Sequence, residues 1–165
     1  MKYWILSALI FLAGCGYQPV SHYTKNVLGE SVSTEVVVSM EDPQNTVIIK
    51  DAVDTAVITK FRTSLVSKNE SKTHLRIAIE SVVFTPLRYD TNGYVVTYRT
   101  TVNLSIRQTK EGKNTNYSTH GMYDFDIEPN AIISDQARFD AIRQGAQKGL
   151  DAFVAQIAAS GVNSH

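Results

Sequence analysis

NGYVVTYRTTVNLSIRQT, residues 92–109, is the stretch of the sequence that decides the fold. Asn-Gly is the strongest short signal for a β-hairpin. After it, apolar and polar residues alternate over a strand from about Tyr94 to Thr109, so the two sets lie on opposite faces. Such alternation is typical of an antiparallel sheet with one polar face. The core set is Val96, Tyr98, Val102, Leu104 and Ile106, and the polar set is Thr97, Arg99, Thr101, Asn103, Ser105 and Arg107.

Similar patterns on both sides of this stretch predict the other elements. Strands are predicted at Thr34–Met40, Thr73–Phe84 and Thr115–Ile127. Apolar residues at steps of three and four predict one helix over Thr46–Ser67 and another, capped by Ser134 or Asn130, that ends near Ser160. The order β-α-β-β-β-α predicts an α+β fold, a two-layer α/β sandwich. Its four-stranded mixed sheet, with strands 1 and 2 parallel, carries both helices on one face.

The apolar stripes of the two helices predict most of the core. Gly145 and Gly149 lie four residues apart on the last helix, which indicates either a close helix–helix contact or room for packing against the first helix or the sheet. The stripes are Ile49, Val53, Ala56, Val57, Phe61 and Leu65 in the first helix, and Phe139, Ile142, Ala146, Leu150, Phe153 and Ile157 in the last.

Composition bounds the classes of function. The chain has 165 residues, of which 43% are hydrophobic and 19% charged, which is typical of a globular protein. Sixteen Lys and Arg balance sixteen Asp and Glu. This balance argues against nucleic acid as a partner, because phosphate backbones select a basic excess. A single Cys excludes an intramolecular disulfide and any Cys-rich zinc site.

The beginning of the chain carries a lipoprotein signal. Lys2 precedes the apolar run Tyr3–Ala13, which is too short to span a bilayer and predicts a secretory signal. It ends in Leu12-Ala13-Gly14-Cys15, which resembles the lipobox of bacterial lipoproteins and implies cleavage before Cys15 and acylation of that residue, including palmitate. The alternative is a signal whose Cys is incidental. We expect a signal peptide over 1–14, a lipid-anchored tether over 15–33 and one domain over 34–160.

Together these features resemble the LptE family of lipopolysaccharide-assembly lipoproteins, also called rare lipoprotein B. The resemblance rests on the lipobox with the Cys-Gly-Tyr that follows, on the element order, and on Asn92-Gly93 followed by Tyr98 and an alternating strand. An aromatic fourth strand, a segment with Pro129, and a helix with Ile142 and Ala146 complete it. It covers most of the chain after residue 15.

The resemblance implies a function and partners. Members of this family sit in the lumen of the outer-membrane β-barrel LptD and help it to assemble, and the two form the translocon that places lipopolysaccharide in the outer leaflet. The implied location is the periplasm-facing side of the outer membrane, and Gly16 after the Cys, in place of Asp, agrees with it. No cofactor is implied besides the covalent lipid on Cys15, and no enzymatic activity.

Family members also bind lipopolysaccharide, through basic residues near the strand 2–3 loop and the start of the last helix. Here Arg88 lies near the first of these positions, and Asp135 with Arg138 stands at the second. Phosphates and acidic sugars suit Arg and Lys as charge-assisted donors. We therefore expect Arg88, Lys110 and Lys113 to contact lipopolysaccharide, although they are equally compatible with solvated turns.

The polar face of strand 3 is the predicted contact with the barrel, because the lumen of such a barrel is polar. The candidate residues are Thr97, Arg99, Thr101 and Asn103. An unrelated outer-membrane lipoprotein, acting as an adhesion or envelope-tethering module, is the alternative function.

The sequence has no Gly-x-Ser-x-Gly elbow and no P-loop, so it offers little support for catalysis. The spacing of the four histidines predicts no metal site. Asp124, Asp126 and Glu128 alternate along strand 4 and indicate either paired carboxylates, a calcium site or a solvated acidic edge.

Overall fold

Four strands and two helices form two layers in the computed structural model, which describes residues 28, 31–38, 46–61 and 64–162. No helix within these ranges is long and apolar enough to cross a membrane. Residues 1–14 and the predicted lipidation site Cys15 lie outside them. The elements are β1 (Val32–Val38), α1 (Thr46–Phe61), β2 (Thr73–Tyr89), β3 (Val95–Lys110), β4 (Lys113–Asp126) and α2 (Asp135–Val162).

The sheet has the predicted topology. Its strand order is β1-β2-β3-β4, with β1 parallel to β2 and the other neighbouring pairs antiparallel. The two hairpins force the antiparallel pairs, and α1 provides the crossover that a parallel pair requires. The predicted α+β sandwich is therefore confirmed.

The core lies between the helices and one face of the sheet. Its centre on β3 is formed by three members of the predicted alternating set, the fully buried Val102, Leu104 and Ile106, whereas Val96 and Tyr98 are only half-buried. Leu28 and Val32 are buried in the same cluster, ahead of the predicted start of the domain. Both helical stripes are confirmed, apart from Leu65 and the half-buried Phe139: the buried residues are Ile49, Val53, Ala56, Val57 and Phe61 on α1 and Ile142, Ala146, Leu150, Phe153 and Ile157 on α2.

Glycines bring α2 unusually close to the sheet. A Cβ placed on Gly121 of β4 would lie 1.9 Å from the backbone oxygen of Gly145 and 2.4 Å from the backbone nitrogen of Gly149. Only hydrogen atoms fit between the helix and the strand here. Of the two sequence-based interpretations of Gly145 and Gly149, packing against the sheet is the one that the structure bears out.

The first helix ends earlier than predicted. It stops at Phe61, and Leu65 forms a parallel bridge with Val32 instead of extending the helical stripe. The Val32 backbone N–H donates a hydrogen bond to the Ser64 carbonyl, and the Val32 carbonyl accepts one from the Val66 N–H. The backbone groups of Ser64 and Val66 therefore pair with β1 and not within a helix. The β-branched residues of this region favour such extended pairing.

β2 is longer than predicted and is bulged. The register with β3 skips Glu80, an extra residue that turns Val82 and Phe84 toward the core face already occupied by Ile79. Beyond Ile79 no described residue of β1 pairs with β2. A proline in this part of the strand is tolerated, because no described residue of β1 requires an N–H donor from Pro86.

Short polar motifs fix the ends of the elements. The Ser134 hydroxyl accepts a hydrogen bond from the Ala137 backbone nitrogen at 3.2 Å, so Ser134, not Asn130, caps α2. Asp90 accepts hydrogen bonds from the backbone nitrogens of Asn92 and Tyr94 in the β2–β3 turn. The Asn-Gly hairpin prediction is confirmed, with Gly93 at a positive φ of 84°.

Candidate functional site: the open face of the sheet

The face of the sheet opposite the helices, called the open face below, carries the polar set predicted on β3. Cross-strand pairing arranges its side chains in rows that run from β2 through β3 to β4. The rows are Arg88–Thr97–Asp126, Thr85–Arg99–Asp124, Val83–Thr101–Met122, Ser81–Asn103–His120, Ala78–Ser105–Ser118 and Arg76–Arg107–Asn116.

Charges are paired at the end of the open face near the β2–β3 turn. The Arg99 guanidinium donates two hydrogen bonds to Asp124, at 2.7 and 2.8 Å. These bonds lower the pKa of the Asp124 carboxyl and raise the pKa of Arg99. In the neighbouring row Asp126 accepts from Thr97 at 2.6 Å and from Arg88 at 3.2 Å. This end of the face presents a largely neutralised surface.

The middle rows combine hydrogen-bonding and apolar groups. The Asn103 amide donates to the Ser81 hydroxyl at 2.7 Å, which fixes its orientation. Thr101 stands between Val83 and Met122, both of which are exposed. The centre of the open face is thus less polar than β3 alone indicates, because the neighbouring strands contribute the apolar members of the row.

The far end of the open face carries two arginines opposite each other, Arg76 on β2 and Arg107 on β3. They line a shallow pocket of about 300 Å³ together with Val37, Ala78, Ser105 and Asn116. The alternation of strand 3 predicts only that Arg107 lies on a polar face. It does not bring Arg107 together with Arg76, because their juxtaposition depends on the register of β2 against β3.

The three residues predicted to bind lipopolysaccharide do not form one site. Arg88 is exposed near the β2–β3 turn, whereas Lys110 and Lys113 pair across the β3–β4 turn. β3, which separates them, has 16 residues and is about 50 Å long at the rise of a strand. Arg88 and the two lysines therefore lie at opposite ends of the sheet.

The acidic residues of β4 are involved in pairing. Asp124 and Asp126 accept from arginines of β3 and β2, and Glu128 follows the end of the strand in an exposed position. Among the residues that the structure describes, no group of three or more His, Cys, Asp and Glu side chains is arranged to hold a metal ion.

Solved structures resemble the chain at low sequence identity. A putative lipoprotein from Caulobacter crescentus CB15 is 11% identical with a TM-score of 0.50, over 88% of this chain and 96% of that one. Rare lipoprotein B from Shewanella oneidensis is 15% identical with a TM-score of 0.46, over 79% and 97%. A minor lipoprotein from Acinetobacter baumannii is 9% identical with a TM-score of 0.45, over 80% and 92%. At 11% identity, the similarity to the Caulobacter lipoprotein supports the fold alone.

The family follows from the sequence itself. None of the curated proteins compared with the chain matches it. The sequence model of the LptE family, described as lipopolysaccharide-assembly, matches residues 34–157, a range that includes the whole open face. The chain therefore belongs to the LptE family of lipopolysaccharide-assembly proteins, as its sequence predicts.

Proposed function

We propose that this protein is a lipid-anchored subunit of the lipopolysaccharide translocon of the outer membrane. In this proposal it sits in the lumen of the β-barrel LptD, helps that barrel to assemble, and contacts lipopolysaccharide during its insertion into the outer leaflet. The protein acts by binding and not by catalysis. Membership of a lipopolysaccharide-assembly family supports the proposal at the level of the process.

The open face is the observation that carries the barrel contact. A β-barrel lumen presents polar side chains, so a protein seated in it gains most from a flat surface of hydrogen-bonding groups. Thr97, Thr101 and Asn103 have short side chains, which lose little rotamer entropy when they are fixed. The pairing of Arg99 with Asp124 cancels charge that the barrel wall would otherwise have to match.

The anchor in this proposal is the acylated Cys15, joined to the domain by the residues that precede Leu28. One acyl chain holds a protein at a membrane only marginally, and two or more hold it stably. A triacylated Cys15 would thus keep the domain at the inner surface of the outer membrane. From there it enters the barrel from the periplasmic side.

Lipopolysaccharide would meet the protein at two separate places. Arg88 offers a guanidinium near one end of the sheet, and Lys110 and Lys113 offer ammonium groups at the other. Because about 50 Å separates these ends, contact at Arg88 and contact at the lysines belong to different positions along the path of the lipid.

Site-specific photo-crosslinking in cells tests the barrel contact. A photoreactive amino acid replaces Thr101 or Asn103 on the open face, and Thr59 on the outer side of α1 provides the control, since it is exposed and belongs to the other layer. We expect adducts with the LptD barrel from the open-face positions, in higher yield than from Thr59.

Correct lipidation of each variant is verified first by palmitate labelling. Adducts from Thr101 and Asn103 with lipid or periplasmic proteins alone would contradict a seat inside the barrel. They would favour the adhesion or tethering role instead.

A further inference from the structure

Arg76 and Arg107 are like charges that face each other and form no ion pair with the described residues. They are direct cross-strand partners, a position in which Cβ atoms lie about 4.5–5.5 Å apart and like charges destabilise the sheet. Within the described ranges, no carboxylate oxygen lies within 4.0 Å of either guanidinium. Glu35, the partner of Arg76 on β1, has its carboxylate 3.6 Å from the His74 ring instead.

The residues around Arg76 and Arg107 line a shallow pocket. Ala78 and Ser105, in the adjacent row, have small side chains, so a shallow depression of about 300 Å³ opens beside the two guanidinium groups. The Arg107 Nε donates to the Asn116 side-chain oxygen at 3.1 Å. This bond orients the guanidinium without using its two terminal nitrogens.

At the other end of the open face each arginine has an aspartate partner, which Arg76 and Arg107 lack. Arg99 is paired there with Asp124 of this chain, and Arg88 with Asp126. The row of Arg76 and Arg107 ends in the neutral Asn116 on β4, where the other two rows have an aspartate. An acid supplied from outside would complete the row in the way that Asp124 completes its own.

We propose that Arg76 and Arg107 form a clamp for one carboxylate, supplied by an Asp or Glu side chain of the protein wall that lies on the open face. This rests on the proposed function, in which that wall is the lumen of the barrel. The planar guanidinium group presents N–H donors in a geometry that suits the two oxygens of a carboxylate. Two such groups can bind one carboxylate with charge-assisted hydrogen bonds.

Size and surroundings favour a side chain over a lipid headgroup. A volume of about 300 Å³ is at the lower limit of small-molecule pockets, and this one is shallow, so it suits one carboxylate better than a phosphorylated saccharide. The flanking Ser105, Ser118 and Asn116 offer hydrogen bonds to a polar wall.

The experiment places a photoreactive amino acid at Ser118, which is exposed beside the pocket, in cells with the otherwise intact chain. We expect adducts with a barrel peptide that contains Asp or Glu. The yield should fall at least about fivefold in the double variant Arg76→Glu, Arg107→Glu, since two attractions become repulsions. Lys68→Glu, a single charge reversal at an exposed turn position, controls for one such substitution and should leave the yield unchanged. Replacing the identified acid by Arg should restore adducts to Arg107→Glu.

The clamp would be overturned by adducts from Ser118 with lipopolysaccharide alone, by adduct peptides without an acid, or by a yield that the double variant leaves unchanged. Adducts with the barrel from Thr101 but none from Ser118 would refute the clamp and leave the proposed function standing. Absence of barrel adducts from both positions would refute both.

Thermal unfolding of the isolated protein separates the clamp from a folding role. Arg107→Gln removes the repulsion and leaves Arg76 beside Glu35, so the Tm should rise by about 1–3 °C. The same variant should lower the Ser118 adduct yield in cells. A Tm that falls together with the yield would indicate a structural arginine and overturn the proposal.

Discussion

Gly121 of β4 and Gly145 of α2 are in backbone contact, so closely that a Cβ on Gly121 would lie 1.9 Å from the Gly145 carbonyl oxygen. Both residues are buried. The contact sets the distance between the layers at this point and positions α2 over Val102 and Leu104 of β3. The side chains on the reverse of the same strands form the open face, so the helical layer supports the surface on which the proposed function depends.

Substituting alanine at the three glycines should destabilise the protein in a fixed order. Gly121→Ala meets backbone atoms on both sides and should lower the free energy of unfolding by about 3 kcal/mol or more. Gly145→Ala places its Cβ 2.9 Å from a methyl of Val102 and should cost less. Gly149→Ala has one tight contact, a Leu104 methyl at 3.2 Å, while the nearest backbone atoms of Gly121 and His120 lie at ordinary distances of 3.4 and 3.5 Å. It also gains about 1 kcal/mol of helix propensity, so it should be nearly neutral.

Urea denaturation of the three variants measures this order. Gly112→Ala is not a suitable control, because its φ of 75° strains any side chain. Ala155→Gly, exposed in the interior of α2, reports the propensity effect alone. Equal losses for Gly121→Ala and Gly149→Ala would contradict the close contact.

Removing a buried hydroxyl should stabilise the core. Thr100 is fully buried, and its hydroxyl has no hydrogen-bond partner in the described part of the chain. Thr100→Val keeps the shape and removes the desolvated polar group, so the free energy of unfolding should rise by about 1 kcal/mol. Thr101→Val, the next residue on the open face, should change it by less than about 0.5 kcal/mol. A loss of stability in Thr100→Val would mean that the hydroxyl is satisfied in solution.

Local periodicity accounts for what the sequence could predict. The alternation after Asn92-Gly93 was sufficient to assign Val102, Leu104 and Ile106 to the core, because strand faces follow directly from a period of two. The same rule applied to β2 stops being valid at Glu80. A bulge there changes the face of the residues that follow, as far as the next irregularity between Pro86 and Arg88, and a bulge leaves no reliable mark in a single sequence.

The candidate site depends on register more than on pattern. Pairing of Arg99 with Asp124, and of Arg76 opposite Arg107, requires the hairpins to align within one residue. A shift of one residue would place Arg76 beside Gln108 or Ile106 and abolish the pocket. For this reason the polar face of β3 could be predicted, whereas its division into a paired end and an uncompensated end could not.

The Arg99–Asp124 pair should make stability depend on pH. The hydrogen bonds from Arg99 lower the pKa of Asp124 below its ordinary value of 3.8. A carboxyl with a lowered pKa stabilises the folded state above its unfolded value and loses that contribution as the pH falls through the folded value. Asp124→Asn should therefore be less stable than wild type at about pH 7, and the difference should disappear at about pH 2.

Chemical denaturation at a series of pH values measures this difference, which should be small because both side chains are about half exposed. Arg99→Gln serves as the partner variant. Combined with Asp124→Asn, it should add no further loss. A difference between wild type and Asp124→Asn that persists in acid would show that Asp124 acts by something other than its charge.

Lipidation at Cys15 should be lost on substitution. Cys15→Ala removes the thiol that accepts diacylglycerol, so the variant should incorporate no labelled palmitate and keep its signal peptide. Without acyl chains the protein should leave the membrane fraction. Cys15→Ser is the matched control for side-chain size and should behave in the same way. Equal palmitate labelling of wild type and Cys15→Ala would refute the lipobox interpretation.

Arg88 should contribute to lipopolysaccharide affinity through its guanidinium. It is exposed and shares Asp126 with Thr97, so a phosphate could compete for it at a small net cost. Since exposed ion pairs are worth at most about 1 kcal/mol, Arg88→Ala should weaken binding about two- to fivefold at low salt. Arg88→Lys keeps the charge but loses the bidentate geometry of the guanidinium. Its affinity for lipopolysaccharide should therefore lie between those of wild type and Arg88→Ala. Titration calorimetry with lipopolysaccharide in detergent measures the three affinities. Added salt should reduce the differences among them, because it screens exposed charges. Identical affinities for all three proteins at low salt would assign Arg88 to the turn and its ion pair alone.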